Sequence, residues 1–256
     1  MRFNLFVNNR HPYLPKITEN FKAEIVKKGN EYSEDNPEIT FVIGGDGTLL
    51  SAIKNSKTDK CSFMLINDGN LGFYKEFDLD GIGNVVRNFD SGNLSFEKHR
   101  FLSAEDMYEH SYLACNEFVL ANSIKTLHFL VYINGSYFME VRGSGICLAS
   151  PFGSSGYNHS LGGALLAYDS GMAISLLAPI RNHSFHPLVS SLVISDSDVV
   201  EIEVISEYDF DLAGDMKVLA DFKGKHFTIK KAKETFSLAH ITDFDPYQRI
   251  RKSFLE

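Results

Sequence analysis

In the first third of the chain the apolar positions alternate between two rhythms. Phe3 to Val7 reads as a short strand, and Ile17, Phe21, Ile25 and Val26 then fall on one face at helical spacing. His11-Pro12 and Pro15 precede this run, and Lys27-Lys28-Gly29 ends it with a charged last turn and a glycine cap. Ile39 to Ile43 reads as a buried strand that runs directly into Gly44-Gly45. Leu49, Leu50 and Ile53 restart the helical period, and Phe63 to Ile66 predicts a third strand ending in Asn67-Asp68-Gly69. Ile82, Val85, Val86 and Phe89 predict a short helix closed by Asp90-Ser91-Gly92. Strands alternating with helices predict an α/β unit with a largely parallel sheet.

From about residue 93 the pattern changes. Ser111–Leu120, Leu127–Ile133, Tyr137–Val141, Met172–Leu177, Leu192–Ile194, Val199–Ile205, Met216–Ala220 and His226–Ile229 are short and rich in β-branched or aromatic residues. Turn residues such as Asn134-Gly135, Asp196-Ser197-Asp198 and Lys223-Gly224 separate them. This predicts an all-β domain of stacked sheets. Tyr247, Ile250, Arg251 and Phe254 add a short helical tail. The expected architecture is an α/β domain over residues 1–92, closed by the tail 240–256, and a β-rich domain over residues 93–239.

Composition narrows the function classes. The chain has 256 residues, 44% hydrophobic and 23% charged, which suits one large globular domain or two small ones. A net charge of −8 argues against general nucleic-acid binding, which needs clustered Lys and Arg to displace counterions. Cys61, Cys115 and Cys147 are scattered and form no CxxC pair, so they read as core thiols in a reducing compartment. Asn4, Asn8, Asn9 and Arg10 interrupt any signal-peptide core, and no apolar run reaches the roughly 18 residues of a membrane span. The expected setting is cytoplasmic, with no membrane partner.

The sharpest chemical feature is Ile43-Gly44-Gly45-Asp46-Gly47-Thr48. A strand enters three glycines around one aspartate and then a helix. Missing Cβ atoms let a ligand approach the backbone, and a helix start suits phosphate. A carboxylate there either accepts a proton or hydrogen bond from a substrate hydroxyl or helps hold a divalent cation. Neither GxxxxGK[ST] nor GxGxxG is present, so a nucleotide would be held by other means. Gly153-Ser154-Ser155-Gly156 is not GxSxG, which removes the serine-hydrolase reading. His183 and His186 lack a third ligand at metal spacing and read as a structural turn; His159 reads as a surface or pocket polar group.

GGDGT, then NDGNLGF, then Asn116-Glu117, then SPFGSSGYNHSLGG resembles the NAD kinase family, whose usual forms are GGDGT, N-x-G-x-LGF, NE and TPTGSTAY-x-x-S-x-GG. The tail Phe244-Asp245-Pro246-Tyr247-Gln248-Arg249-Ile250-Arg251 is also similar. Diacylglycerol and sphingosine kinases and phosphofructokinases carry related GGDGT turns; the four motifs in this order are far more specific. The resemblance implies phosphoryl transfer from ATP, with Mg2+, to the 2′-hydroxyl of the adenosine ribose of NAD. It makes Asp46 the catalytic aspartate and places Gly44, Gly45 and Gly47 on the phosphate-facing turn. It sets Phe73 beside adenine, Asn116 on adenine and Glu117 on a ribose. Arg142, Ser144, Ser155, Gly156, Tyr157 and Ser160 join the NAD pocket, with Asp221 a further candidate. A homodimer or homotetramer is implied as well.

Departures from the family pattern matter. Ser144 stands where the family usually has Asp, so a charged hydrogen bond to substrate becomes a neutral one. Ser150 and Phe152 replace threonines, Gly156 replaces an alanine, and Asp221-Phe222 stands where the family often has Asp-Gly. Two other readings compete: a lipid kinase built on the same turn, disfavoured by the charge of −8 against anionic membranes, and a non-catalytic sensor of adenine dinucleotides.

Overall fold

The structure, a computed structural model, describes residues 1–8, 11–56, 60–69, 72–89, 92–241 and 244–256. Expectations at Asn9, Arg10, Asn70, Leu71, Asp90 and Ser91 lie outside the described residues. In chain order the elements are β1 (Arg2–Val7), α1 (Leu14–Lys27), β2 (Glu31–Tyr32), β3 (Ile39–Ile43), α2 (Asp46–Lys54), β4 (Ser62–Asn67), β5 (Lys75–Asp78), α3 (Ile82–Asn88) and β6 (Ser95–Asp106). There follow β7 (Ser111–Ala114), β8 (Glu117–Ala121), β9 (Leu127–Ile133), β10 (Ser136–Gly143), β11 (Gly145–Ala149), α4 (Tyr157–Ser160) and β12 (Met172–Leu177). The last are β13 (Leu192–Ile194), β14 (Val200–Val204), β15 (Asp211–Gly214), β16 (Lys217–Val218), β17 (His226–His240) and α5 (Pro246–Phe254). Two compact units result: Met1–Lys98 with Thr235–Glu256, and His99–Glu234. The sequence pattern changes near Gly92-Asn93, whereas the units divide within β6 and again within β17.

The first unit is built on parallel strands in the order β2-β1-β3-β4. The far edge of β4 pairs with β5 at Leu65↔Lys75 and with the end of β17 at Phe63↔Leu238. All five residues of β3 are buried, as expected of a parallel strand covered on both faces. Phe21 and Ile25 of α1 and Val85 of α3 pack with Phe3, Ile39, Phe41 and Met64. Phe41 sits at the centre, edge-on to Phe21 at 5.0 Å and Phe89 at 5.1 Å. Asp245 caps α5 by accepting the N–H groups of Tyr247 and Gln248, and Pro246 opens the helix. Arg249 of α5 forks onto Glu97 at 2.7 and 3.1 Å and lies over the rings of Phe244 and Tyr74.

Buried His240 bridges two carboxylates in the same unit, Glu76 at 2.8 Å and Glu97 at 3.3 Å, and stacks on Phe244. Burial opposes its protonation, but the hydrogen bonds to Glu76 and Glu97 outweigh it and leave the imidazole pKa above its ordinary value. A raised folded pKa stabilises fully below the unfolded value of about 6.5, and that contribution is lost as pH rises through the folded pKa. The difference in Tm between the parent and His240→Gln is therefore expected to be largest near pH 6 and to shrink toward alkaline pH. Thermal melts across that range check it; a constant difference would remove the charge from the explanation.

The second unit is antiparallel. One sheet runs β10-β9-β14-β17, with β6 pairing β17 and β7; the other runs β13-β12-β11-β8-β15-β16. Their facing side chains, among them Phe118, Leu120, Phe129, Val131, Ile146, Leu148, Ile202 and Phe227, form one core. The opposite face of β11 is also covered: Cys147 and Ala149 pack with Ala173, Leu177, Leu161 and Leu166. Cys61, Cys115 and Cys147 are all buried and none is disulfide-bonded.

Several sequence-predicted segments differ in detail. Ser111–Leu120 is two strands broken at Cys115-Asn116, and only Lys217–Val218 of Met216–Ala220 is extended. β17 continues to His240, well past Ile229. Its charged middle is accommodated because Lys231, with a side chain 1% exposed, pairs with Asp169 at 2.5 Å. Asn182 closes the His183–His186 segment as a turn by accepting the N–H groups of Ser184 and Phe185, and both histidines are exposed.

Candidate active site

The candidate residues fall into two groups, one in each unit. In the first unit, β3 delivers the chain into α2 through Gly44 and Gly45. Gly44 has φ +156°, and a Cβ there would collide with the Thr48 side chain, so only glycine fits. Where a Cβ would stand on Gly45 or Gly47 there is open space. Packing does not require glycine at those two positions; bare backbone leaves room for a ligand. The Gly45 carbonyl accepts the first helical bonds, from Thr48 at 2.9 Å and Leu49 at 3.1 Å.

Asp46 opens α2, where the helix dipole favours a carboxylate. Its Oδ2 accepts the Phe73 N–H at 2.9 Å and its Oδ1 the Tyr74 N–H at 3.2 Å. The GGDGT turn and the end of the NDGNLGF loop therefore meet at this one side chain. Each oxygen takes one N–H and keeps further lone-pair capacity for a ligand. Phe73 contributes its backbone here, while its ring packs on Tyr74 at 4.9 Å and Phe254 at 5.8 Å. Asn67, at the end of β4, is buried; its Nδ2 donates to the Gly69 carbonyl at 2.6 Å, and its Oδ1 has no hydrogen-bond partner among the described residues. A Cβ on Gly72 would stand 3.1 Å from that oxygen, which explains the glycine.

In the second unit, Asn116 and Glu117 sit at the break between β7 and β8, and Glu117 is buried. Ser150 holds this break from one side: its Oγ donates to the Cys115 carbonyl at 2.5 Å and its N–H to the Asn116 carbonyl at 2.8 Å. Gly153 packs so closely on Asn116 that a Cβ would strike the Asn116 carbonyl. The segment Phe152–Ser155 is a 3-10 turn leading through Gly156 into α4. Phe152, Gly153, Ser154 and Asn158 are buried, whereas Gly156, Tyr157 and Ser160 are exposed and Ser155 is half-buried. The predicted pocket residues thus share the outward side of a turn whose inward side is anchored. The anchor is Asn158, which donates to the carbonyls of Ser154 and Ala164 and accepts from the Ser175 hydroxyl at 2.8 Å.

Arg142, one residue before the end of β10, has its guanidinium over the Phe185 ring at 4.5 Å, and its buried Nε has no hydrogen-bond partner among the described residues. Ser144 lies at the bend between β10 and β11, where its N–H donates to Leu177 and its carbonyl accepts from Asn122. Asp221 is exposed on the turn after β16. The carboxylate that reaches the Asn116 segment is Asp215, which the sequence reading does not single out. Ser150 and Asn158 lie in the SPFGSSGYNHSLGG segment but not among its predicted pocket residues, and Asp215 is in none of the quoted motifs. Their partners are close only after β8, β11 and β15 have aligned in one sheet.

Comparison with known proteins places this geometry. The ATP-NAD kinase C-terminal domain family matches residues 116–241. NAD kinase of Limosilactobacillus reuteri subsp. reuteri is 29% identical, across 100% of this chain and 98% of that protein. NAD kinase 1 of Listeria innocua is 30% identical, across 88% of this chain and 89% of that protein. The fold is that of an NAD kinase from Archaeoglobus fulgidus in complex with ATP, with a TM-score of 0.77 at 21% identity over 99% of this chain and 97% of that one. Yeast NADH kinase complexed with NADH is similar too, with a TM-score of 0.80 at 15% identity over 98% and 86%. The chain belongs to the NAD kinase family.

Proposed function

We propose that this protein transfers the γ-phosphoryl group of ATP to the 2′-hydroxyl of the adenosine ribose of NAD, giving NADP and ADP. The observation that carries the reading is Asp46: a carboxylate at a helix start, oriented by two backbone N–H groups, beside glycines that leave the backbone open. Phosphoryl transfer has a loose transition state, so a protein contributes chiefly positioning and charge stabilisation. Asp46 orients the 2′-hydroxyl and accepts its proton as the new O–P bond forms and the bond to the β-phosphate oxygen breaks. A carboxylate is a weak base, which matches a hydroxyl that becomes acidic only as it bonds to phosphorus. Asn116 and Glu117 hold adenine and ribose, and the outward residues Ser155, Gly156, Tyr157 and Ser160 line the dinucleotide.

Among the described residues no three His, Cys, Asp or Glu side chains stand together as metal ligands. That donor set suits Mg2+ held mainly by the donor's phosphates, with at most one or two protein carboxylates. Bound there, Mg2+ supplies charge neutralisation at the transferring phosphoryl group. Buried thiols suit a cytoplasmic setting, and the family resemblance supports a homodimer or homotetramer. Among the described residues no helix is long and apolar enough to cross a membrane.

Incubation with NAD, ATP and Mg2+ is expected to give a 2′-phosphorylated dinucleotide by chromatography. A phosphorylated diacylglycerol or sphingoid base in its place would establish the lipid-kinase reading, and dinucleotide binding without turnover the sensor. Ser144→Asp is expected to tighten NAD binding several-fold, because a charged hydrogen bond contributes roughly 1.5–3 kcal/mol against about 1 for a neutral one. Calorimetric affinities equal for the two proteins would count against a substrate contact at Ser144.

A further inference from the structure

The break between β7 and β8 leaves the backbone donors of Cys115 and Asn116 outside the strands, and one carboxylate accepts them together with that of Glu117, the first residue of β8. Asp215 Oδ2 takes the Cys115 N–H at 2.8 Å, and Oδ1 takes those of Asn116 at 2.6 Å and Glu117 at 3.3 Å. In return the Asp215 N–H donates to the Glu117 carbonyl at 3.1 Å. Asp215 lies at the tip of the β15–β16 hairpin, in the same unit and next to β8 in the sheet. From the other side Ser150 and Gly153 close on the same segment, as described above.

We propose that Asp215 is a positioning residue for the dinucleotide: it sets the backbone from which the Asn116 and Glu117 side chains project, and so tunes affinity for adenine and ribose. The proposal rests on the NAD kinase reading and extends it to a residue that the sequence reading does not single out. Asp215 and Met216 are the two central residues of the β15–β16 turn, with φ +47° and +63°, the left-handed pair that a two-residue hairpin turn requires. Met216 fills a position where glycine is favoured and is 92% exposed, so its own burial does not hold it there. One feature separates this turn from ordinary hairpin packing: the Asp215 carboxylate reaches three successive N–H groups of the neighbouring break. A carboxylate accepting several N–H groups also suits a segment that must stay rigid, since flexible side chains lose affinity to ordering on binding.

The test compares the full-length parent with Asp215→Ala, Asp215→Asn and Met216→Gly. The readouts are NAD binding by calorimetry without ATP, KM for NAD and for ATP, and kcat. Asp215→Ala is expected to raise the Kd and KM for NAD about tenfold or more. KM for ATP should stay within about twofold and kcat within about threefold. A residue serving stability alone would lower the active fraction, and hence kcat, at unchanged KM. Asp215→Asn keeps one acceptor oxygen and is expected to fall between the two; it carries the test if the alanine variant does not fold. Met216→Gly relaxes the hairpin backbone without touching the carboxylate and should leave NAD affinity within about twofold. Unchanged NAD affinity in folded Asp215→Ala or Asp215→Asn, or an equal loss in Met216→Gly, overturns the proposal. A parent protein that binds no NAD overturns the kinase reading instead.

Discussion

Asp46→Asn is expected to lower kcat by about 10²-fold or more while NAD affinity stays within a few-fold of the parent. Asparagine retains one carbonyl oxygen for the Phe73 or Tyr74 N–H, so the turn keeps much of its geometry. What it loses is the negative charge and the capacity to take the ribose proton. On the proposed function the charge and the proton transfer act in the transition state, so the loss is expected in turnover and not in ground-state affinity. Single-turnover rates paired with calorimetric binding separate the two. A variant with full turnover would deprive Asp46 of its catalytic role.

Lys231→Ala is expected to destabilise the protein by about 3 kcal/mol, the lower end of the range for removing one partner of a buried ion pair. Lys231 is almost wholly enclosed and pairs with Asp169, whose side chain is 16% exposed. Burial holds its pKa below the usual lysine value against the pull of Asp169, so the charge is already costly to keep. Without it Asp169 retains, among the described residues, only Arg100, whose backbone N–H donates to it at 3.2 Å and whose guanidinium lies at 3.5 Å but is itself engaged with Asp196 at 2.6 Å. For a chain of this length the shift in Tm is roughly 6–12 °C, measured by calorimetry. A shift below about 2 °C would mean that Arg100 and water fully replace the ammonium.

The strands and helices that carry the motifs were legible because their signals are local. β9, β12 and β13 begin and end where their β-branched and aromatic runs do, and α2 starts at the aspartate of the glycine turn. Elements whose burial is decided by distant partners were not. β6 reads as Ser-Phe-Glu-Lys-His-Arg, with no sustained alternation, and is extended because β7 and β17 pair with it. β17 appears to end at Ile229 because Lys230, Lys231, Lys233 and Glu234 follow, yet Lys231 turns inward to a carboxylate sixty-two residues away. β11 is buried on both faces and has no alternation to read. The site shows the same division. Asp46 and its glycines stand out as a turn with a charge in it, and Asn116-Glu117 gains meaning from its place among the motifs. The groups that orient them, the Phe73 and Tyr74 amides, Ser150 and Asp215, become visible only when chain segments meet.

The first unit is written in two instalments, with the whole of the second unit between them. Ser237 and Leu238 complete the edge of β4, and Arg249 reaches Glu97, only after the whole of the second unit has been synthesised. On a translating ribosome the antiparallel unit is the earlier one able to mature. The nascent amino-terminal sheet must wait with an unpaired border, the kind of edge that recruits stray strands. Loss of residues 237–256 would therefore harm the unit whose larger part is encoded first.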